Sequence, residues 1–226
     1  MGAIFTMCPG GLYPNSKPIP DDVTPSEPRA LSAAMKRSLL QEVTPKCCFG
    51  AGCYWGTEKY FKHEFAETNV VEGRIKEGMV GFMGPKSAKI NPTYEDVCSG
   101  VSGHVEVFNC EFAGGAPFYE AMVRFFFQFH DPTTMNKQGN DSGPQYASVI
   151  YCYDEAQLQI ATEVKAELQS YLTLNQITCF NTKVVSTEIR MVEADFYPAM
   201  GGHQDYLKKN PNVTESIPFH SCLNED

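Results

Sequence analysis

The sequence predicts one α/β domain in which strands and helices alternate along the chain and pack in layers. Its 226 residues are enough to bury one sizeable core. Hydrophobic residues make up 42% of the chain and charged residues 20%, which is typical of a globular protein. Apolar segments with the period of strands alternate with segments that have the helical period. This alternation favours an α/β layered sandwich and leaves the direction of the strands open.

The chain before the domain has a different composition. Residues 1–29 are rich in Pro, Gly and Ser, which predicts a flexible arm. Residues 30–44 predict a helical extension, because their leucines and Met35 fall on one side of a helix. The main domain is predicted to span residues 45–210, and residues 211–226 to form a flexible tail.

Within the domain, strand-like segments are apolar runs or runs that alternate between apolar and polar residues. They lie near 45–50, within 70–83, and at 104–112, 146–153 and 183–189. The predicted helices lie at 55–65, at a short segment that Thr93 caps, from Pro117 to Phe129, and at 155–171. The predicted irregular segments are 84–92, 130–145 and everything after Phe196, except for one helical turn around 203–207.

The acidic balance of the chain limits its partners. Eighteen basic against twenty-seven acidic residues give a net charge of −9, which argues against a nucleic acid as the main ligand. No apolar run approaches membrane-spanning length, and no signal peptide is recognisable. We expect a cytoplasmic monomer. The first residues fit the loose pattern for N-myristoylation of Gly2, with Cys8 as a second acylation site.

The nine cysteines have irregular spacing and an odd total. Neither Cys-x-x-Cys nor zinc-ligand spacing occurs, so the sequence predicts no metal site. This usage is typical of a reducing compartment with few reactive thiols. Cys48, Cys110 and Cys152 lie in strand-like segments and are predicted to be buried small hydrophobes.

The segment Gly52-Cys53-Tyr54-Trp55-Gly56 is the strongest functional signal. It joins a predicted strand to a predicted helix, so Cys53 would lie below the free amides of a helix N-terminus, where a thiolate is favoured. Lowering a thiol pKa from about 8.5 to about 7 requires roughly 2 kcal/mol, which such a terminus can provide in a favourable setting. The alternative is that the glycines form a turn and that Cys53 and Trp55 fill the core.

Glu106 is the carboxylic acid that we expect beside this thiol. It alternates with Val105 and Val107 along a strand and therefore points to the other face. An apolar wall of Tyr54 and Trp55 would raise the pKa of a neighbouring carboxyl group by desolvation. The alternative is a glutamate on the solvent side of its strand.

The loop at 130–145 is long, polar and rich in turn residues. Loops of this length are frequently functional. Asp141 and Tyr146 could bind a polar substrate through hydrogen bonds, whereas Asp131, which precedes Pro132, is predicted to be a turn residue.

Taken in order, these motifs resemble the class A peptide-methionine sulfoxide reductases over residues 45–210. The resemblance rests on the segment at 52–56 and on four later ones: Asn91-Pro92-Thr93-Tyr94-Glu95-Asp96-Val97-Cys98-Ser99-Gly100, Gly103-His104-Val105-Glu106, His130-Asp131-Pro132-Thr133 and Gln138-Gly139-Asn140-Asp141. It implies an α/β (α+β) two-layer sandwich with a central mixed sheet and flanking helices. It also implies a ferredoxin-like core and an irregular C-terminal tail.

The resemblance also implies a role for each motif residue. Cys53 would attack the sulfur of a methionine S-sulfoxide, free or in a protein, and would become a sulfenic acid. Glu106 would give a proton to the sulfoxide oxygen, assisted by the hydroxyl groups of Tyr94 and Tyr146. The residues implied to contact the substrate are Tyr54, Trp55 and Asp141.

By the same resemblance the enzyme has no bound cofactor, and thioredoxin reduces a disulfide that forms after the sulfenic acid. Many members place the resolving cysteine soon after an Asn-Pro near the end, but Asn210-Pro211 is not followed by one here. Cys222 is the only thiol beyond Cys179 and is the predicted resolving residue. The alternatives are Cys98 and direct reduction by an external thiol.

Two other functions are alternatives to the reductase hypothesis. Cys53 could serve a hydrolase or acyl transferase, with His104 or His203 as its base. The aromatic pocket could instead belong to a binding protein that performs no chemistry.

Overall fold

The computed structural model describes residues 42–213. The predicted arm, most of the predicted helical extension and the tail, with Gly2 and Cys222, lie outside the described residues. The strands of the main sheet are β1 (Lys46–Ala51), β2 (Arg74–Met83), β3 (Val105–Ala113), β6 (Ser148–Cys152), β7 (Glu188–Met191) and β8 (Tyr197–Pro198). A separate hairpin consists of β4 (Lys137–Gln138) and β5 (Asp141–Ser142).

Five helices accompany these strands in the described part of the chain. The first, α1, covers residues 54–68 and has three parts, α-helical Tyr54–Lys59, π-helical Tyr60–Phe65 and α-helical Ala66–Thr68. The others are α2 (Tyr94–Cys98), α3 (Gly115–Phe129), α4 (Glu155–Thr173) and α5 (Tyr206–Lys209), and a short 3₁₀ turn covers Pro144–Tyr146.

The main sheet is mixed, as the resemblance implied. Its order is β7-β6-β1-β3-β2-β8, and all neighbours are antiparallel except β6 and β7. The unit β1-α1-β2-β3-α3-β6, with its four strands in the order β6-β1-β3-β2, is the β-α-β-β-α-β arrangement of ferredoxin-like folds. The two-layer fold with a ferredoxin-like core is therefore confirmed.

The core lies mainly between the sheet and the helices. Alternation along β3 sends Phe108 and Cys110 into the larger cluster, which also contains α1, α3 and α4 side chains. Val105 and Val107 face a smaller cluster on the opposite side of the sheet. Glu106, by the same alternation, lies on the helix-covered face, where its strand meets the start of α1.

Three elements differ from the prediction. The strand expected at 183–189 is formed only at Glu188–Met191, because the Ser186 amide and hydroxyl bond to the Pro132 carbonyl instead of to a neighbouring strand. The loop at 130–145 contains the hairpin β4–β5, and the chain after Phe196 adds β8 to the sheet edge. The helix predicted at 55–65 is present as α1, and its middle part is π-helical.

Candidate active site

Cys53 lies at the turn between β1 and α1, as the sequence predicted. It is the N-cap residue of α1, is half-buried, and has no side-chain capping bond to the helix amides. Gly52 makes the turn with a φ of +83°, and a Cβ added there would lie 2.6 Å from Cβ of Gln138. Position 52 therefore requires glycine, because a larger residue would be strained at this positive φ and would clash with Gln138. The position leaves the sulfur accessible at the positive end of the helix dipole.

Glu106 lies next to this turn. Its Oε2 accepts a hydrogen bond of 3.1 Å from the backbone amide of Tyr54, the residue after Cys53. The side chain is only 2% exposed, so the alternative of a solvent-facing glutamate is wrong. Burial disfavours the charged carboxylate, whereas the amide donor favours it. One of the helix amides near which the sequence places Cys53 is therefore bonded to the carboxyl group of Glu106.

Two tyrosine hydroxyl groups lie in the same electrostatic environment. The pKa of Tyr94, at the start of α2, is raised by its hydrogen bond to Cys98, by burial and by the charge of Glu106. The pKa of Tyr146, in the 3₁₀ turn, is raised by burial and by the charges of Glu106 and Asp141. Both groups therefore stay protonated at neutral pH and can donate hydrogen bonds.

Asp141 is presented by the hairpin whose other strand packs on the Cys53 turn. Gln138 in β4 pairs with Asp141 in β5, and Gln138 also contacts the turn at Gly52. Burial raises the pKa of the Asp141 carboxyl group. Asp131 is a structural residue, as predicted, because its Oδ1 accepts bonds from the amide and hydroxyl of Thr133.

An aromatic wall stands beside Cys53. Tyr54 is buried and Trp55 is half-buried, and their ring centroids are 6.4 Å apart. Tyr206 of α5 stacks on Trp55 at 3.7 Å with an interplanar angle of 9°. The Trp55 Nε1 is buried and has no hydrogen-bond partner within residues 42–213.

His203 joins the wall from the C-terminal segment. Its Nδ1 is 2.9 Å from the Tyr54 hydroxyl, and its ring packs against Tyr94 and Trp55. Burial lowers the pKa of His203, which keeps the ring neutral at pH 7. Sequence reasoning considered His203 only as a base for a rival enzyme and missed Tyr206. His203 and Tyr206 are three residues apart in the segment where a helical turn was predicted, and residues at that spacing lie on the same side of a helix. This spacing could have indicated that both rings face the same partner.

An ion-pair network centred on a buried glutamate holds this C-terminal segment on α1, and no sequence pattern predicted it. Glu58 is only 2% exposed and accepts bonds from the Lys62 ammonium at 2.8 Å and the Asp205 amide at 2.8 Å. Lys62 also reaches the Asp205 carboxylate at 3.0 Å. These contacts place His203 and Tyr206 against the aromatic wall.

Of the other cysteines, Cys98 alone is drawn into the site among the described residues. Its side chain forms a hydrogen bond with Tyr94, which is the largest contribution to the raised pKa of that tyrosine. The predicted burial of Cys48, Cys110 and Cys152 is confirmed. His104 packs against Tyr197 and is also buried.

Across residues 42–213, no helix is long and apolar enough to cross a membrane. Over the same range, no cluster of three His, Cys, Asp or Glu side chains could hold a metal ion.

Comparison with known proteins gives a consistent result. Residues 45–225 match the family described as peptide methionine sulfoxide reductase. A protein of Nautilia profundicola named peptide methionine sulfoxide reductase MsrA is 38% identical to this chain, and the match covers 74% of this chain and 85% of the relative. A protein of the same name from Methanothermobacter thermautotrophicus is 39% identical, and the match covers 74% of this chain and 88% of that relative.

Solved structures agree with the sequence relatives. The reduced form of Mxr1 from Saccharomyces cerevisiae is 31% identical and covers 79% of this chain and 91% of its own, with a TM-score of 0.62. Methionine sulfoxide reductase A of Corynebacterium diphtheriae is also 31% identical, covers 77% of this chain and 79% of its own, and has a TM-score of 0.60.

Proposed function

The chain belongs to the peptide methionine sulfoxide reductase family and reduces methionine sulfoxide to methionine, and we propose that Cys53 and Glu106 carry out this reaction. The observation that most supports this pair is the 3.1 Å bond from the Tyr54 amide to Glu106 Oε2. This bond attaches the buried Glu106 carboxyl group to the residue that follows Cys53, whose half-buried thiol lies at a helix N-terminus. The physiological result is repair of oxidised methionine in proteins.

In the first half of the reaction the Cys53 thiolate attacks the sulfoxide sulfur. Glu106 gives its proton to the sulfoxide oxygen, because this oxygen leaves the substrate readily only when it is protonated. Tyr94 and Tyr146 donate hydrogen bonds to the same oxygen, since their raised pKa values keep them protonated. The oxygen passes from the substrate to Cys53, which gives methionine and a sulfenic acid.

The aromatic wall selects the substrate. The Trp55 and Tyr54 rings form an apolar surface that suits the methyl group of methionine sulfoxide. Asp141, which lies half-buried in the hairpin next to the Cys53 turn, is the proposed hydrogen-bond acceptor for the backbone of a bound residue. When both the methyl group and the backbone of the substrate are held in place, only one sulfoxide epimer points its oxygen toward Glu106. We propose that this is the S epimer.

In the second half a thiol condenses with the sulfenic acid, releasing water and forming a disulfide. We propose Cys222 as this thiol and thioredoxin as the dithiol that then exchanges with the disulfide. Cys98 is the alternative, supported by its hydrogen bond to Tyr94 inside the site. The enzyme needs no bound cofactor for either half. A cytoplasmic location is proposed from the cysteine usage, and a monomeric state is proposed with it.

The test is a thioredoxin-coupled assay with separated S and R epimers of a methionine sulfoxide peptide. Wild-type protein is expected to reduce the S epimer, and Cys53→Ser to have no activity on either epimer. Cys179→Ser, a half-buried cysteine of the irregular segment before β7, serves as the matched control and is expected to retain activity. Retained activity in Cys53→Ser would refute the assignment.

The rival functions give different outcomes. A Cys53 hydrolase would cleave an ester or amide and would still do so after Glu106→Gln. A binding protein would keep its ligand after Cys53→Ser. Neither rival explains why a carboxyl group is buried beside the thiol.

A further inference from the structure

A basic groove leads away from the aromatic wall along the outer side of α1. Its main part is a cavity of about 570 Å³ between α1, the first half of β2 and the start of α5. A smaller cavity of about 140 Å³ continues it as far as Trp55. Both cavities are lined by Lys62, His63, Asp205 and Lys208, so the two form one continuous depression.

The charge of the groove is opposite to that of the whole chain. Its main part is lined by three further cationic side chains besides Lys62, and by only two carboxylates, in a protein with a net charge of −9. Lys62 is neutralised by its ion pairs. The remaining cations, Arg74, Lys76 and Lys208, are exposed, and within residues 42–213 none of them lies in a close ion pair. The charge of Lys208 also acts on Asp205 across the groove. The groove is therefore a positive surface that a negatively charged ligand would complement.

The floor of the groove is apolar. Phe65 and Phe118, whose rings meet edge to face at 5.4 Å, lie beneath it, and Ile75 contributes from β2. Val70 stands at its margin and is 82% exposed. A surface of this kind suits a polypeptide, whose aliphatic parts can lie on the floor while its carboxylates meet the basic rim.

The open edge of β2 does not favour pairing with another strand. β8 pairs with β2 only at Gly81 and Phe82, which leaves the first half of the edge uncovered. The register shifts between Ile75 and Glu77, so Lys76 lies in a bulge. A bulge and a lysine at a sheet edge oppose regular strand addition. Recognition in the groove would therefore depend on side-chain charge.

The length of the groove relates it to the reaction. The positions that line it on α1 extend from Trp55 to Ala66, eleven residues along the helix. At about 1.5 Å per residue this is roughly 16 Å. An extended peptide covers that distance in about five residues. A substrate with its oxidised methionine at Trp55 would thus place residues four to six positions away near Arg74 and Lys76.

We propose that this groove binds an acidic segment of the oxidised protein substrate, four to six residues from the methionine sulfoxide. The inference rests on the proposed function, because it assumes that the sulfoxide is held at Trp55. It makes Arg74 and Lys76 specificity-determining residues for protein substrates, with no part in the chemistry. Free methionine sulfoxide is too short to reach them.

The experiment measures kcat/KM for a set of peptides with one central methionine sulfoxide. Acidic, neutral or basic triplets are placed four to six residues away, on the N-terminal or the C-terminal side, and N-acetyl-methionine sulfoxide amide is the short reference. Wild-type protein is expected to favour the acidic peptide over the neutral one by about tenfold on one side. The preference should shrink in about 1 M salt, where the screening length is about 3 Å.

The variants are Arg74→Glu/Lys76→Glu and Arg74→Ala/Lys76→Ala. The alanine pair is expected to abolish the preference and the glutamate pair to reverse it, with kcat/KM for the short reference unchanged. Lys86→Glu/Lys183→Glu makes the same change in net charge at two exposed lysines away from the groove and should keep the preference. The unchanged turnover of the short reference also confirms that each variant is folded.

The two hypotheses fail in different ways. If wild-type protein does not reduce the short reference, the proposed function fails. If it does, but shows no acidic preference, or shows one that Arg74→Glu/Lys76→Glu leaves intact, only the groove assignment is overturned. Neutralising the acidic residues of the chain's own tail, Glu215→Gln/Glu225→Gln/Asp226→Asn, is expected to change nothing. A higher affinity for acidic peptides in that variant would identify the tail as the occupant and overturn the proposal.

Discussion

Cysteines at the two ends of β1 have opposite environments. Cys47 and Cys48 are fully buried in the strand, and burial raises the pKa of both thiols. Cys53 follows the same strand by two residues, is half-buried, and caps α1 beside the carboxyl group of Glu106. Solvent access and the position at a helix N-terminus distinguish Cys53 from the two buried thiols, and both features favour a thiolate.

The buried thiols form a tight apolar group. Cys47 and Cys110 face each other across β1 and β3, with their sulfur atoms 3.2 Å apart. Burial also raises the pKa of Cys152, on neighbouring β6, to about 12. These side chains behave as small hydrophobes that complete the sheet, and each is available to a reagent only when the sheet opens.

The largest expected effect is the difference in alkylation rate between the two environments. Cys53 should react with iodoacetamide at neutral pH. The buried thiols should react at least about 1000-fold more slowly, because the core must open before the reagent reaches them. These thiols are Cys47, Cys48, Cys110 and Cys152. Peptide mapping by mass spectrometry measures each site, and the unfolded protein in denaturant is the control in which all of them react. Equal rates in the folded protein would contradict the distinction.

The second effect concerns the carboxyl group that distinguishes the Cys53 environment. Glu106→Gln should lower kcat for the S-sulfoxide by about 10²- to 10⁴-fold, because the amide cannot give a proton to the leaving oxygen. Alkylation of Cys53 should persist in this variant. Glu111→Gln, on the same strand but exposed, is the matched control and should keep full activity. A loss below tenfold in Glu106→Gln would assign the proton to another group.

The third prediction separates the two candidate resolving thiols. With thioredoxin as reductant, Cys222→Ser should complete about one turnover and then stall, since its sulfenic acid has no partner. Cys98→Ser should cycle, with a moderate loss from its lost bond to Tyr94. The measurement is methionine formed per enzyme, with and without thioredoxin. Normal cycling of Cys222→Ser together with a stall of Cys98→Ser would reverse the assignment.

The smallest effect is a pH dependence of stability from a buried thiol. Burial raises the pKa of the folded Cys152 thiol to about 12, well above that of an ordinary thiol. Above pH 9 the unfolded chain loses this proton while the folded one keeps it, so unfolding becomes easier as the pH rises. The slope is about 1.4 kcal/mol per pH unit for one such group between pH 9 and 12. Urea titrations of wild type and Cys152→Ala should show a shallower decline in the variant, and equal slopes would refute the assignment.

The sequence was sufficient wherever the interaction is local. The glycine turn before Cys53, the N-terminus of α1 and the capping of α2 by Thr93 each depend on a few consecutive residues. In the capping box, Thr93 and Asp96 bond each other's amides as the spacing predicted. Patterns that involve only a few consecutive residues predict the local backbone conformation, because all the interacting groups are near one another in the chain.

Contacts between distant segments are not encoded in such local patterns. Glu106 lies 52 residues from its amide partner at Tyr54, and Tyr54 lies 149 residues from His203. Strand alternation indicated which way Glu106 points but could not say whether that face is covered. The strand predicted at 183–189 failed for the related reason that Ser186 found a partner in a remote loop.

The amino-acid order by itself determined that this chain carries a thiol at a strand-to-helix turn, the motifs of a sulfoxide reductase and an alternating α/β domain. Tertiary structure alone decided that Glu106 is buried against the Tyr54 amide, that Tyr206 covers Trp55, and that Arg74, Lys76 and Lys208 share one groove. The physical reason is that backbone preferences act over a few residues. Sheet register and side-chain packing, by contrast, bring together groups that the chain keeps far apart.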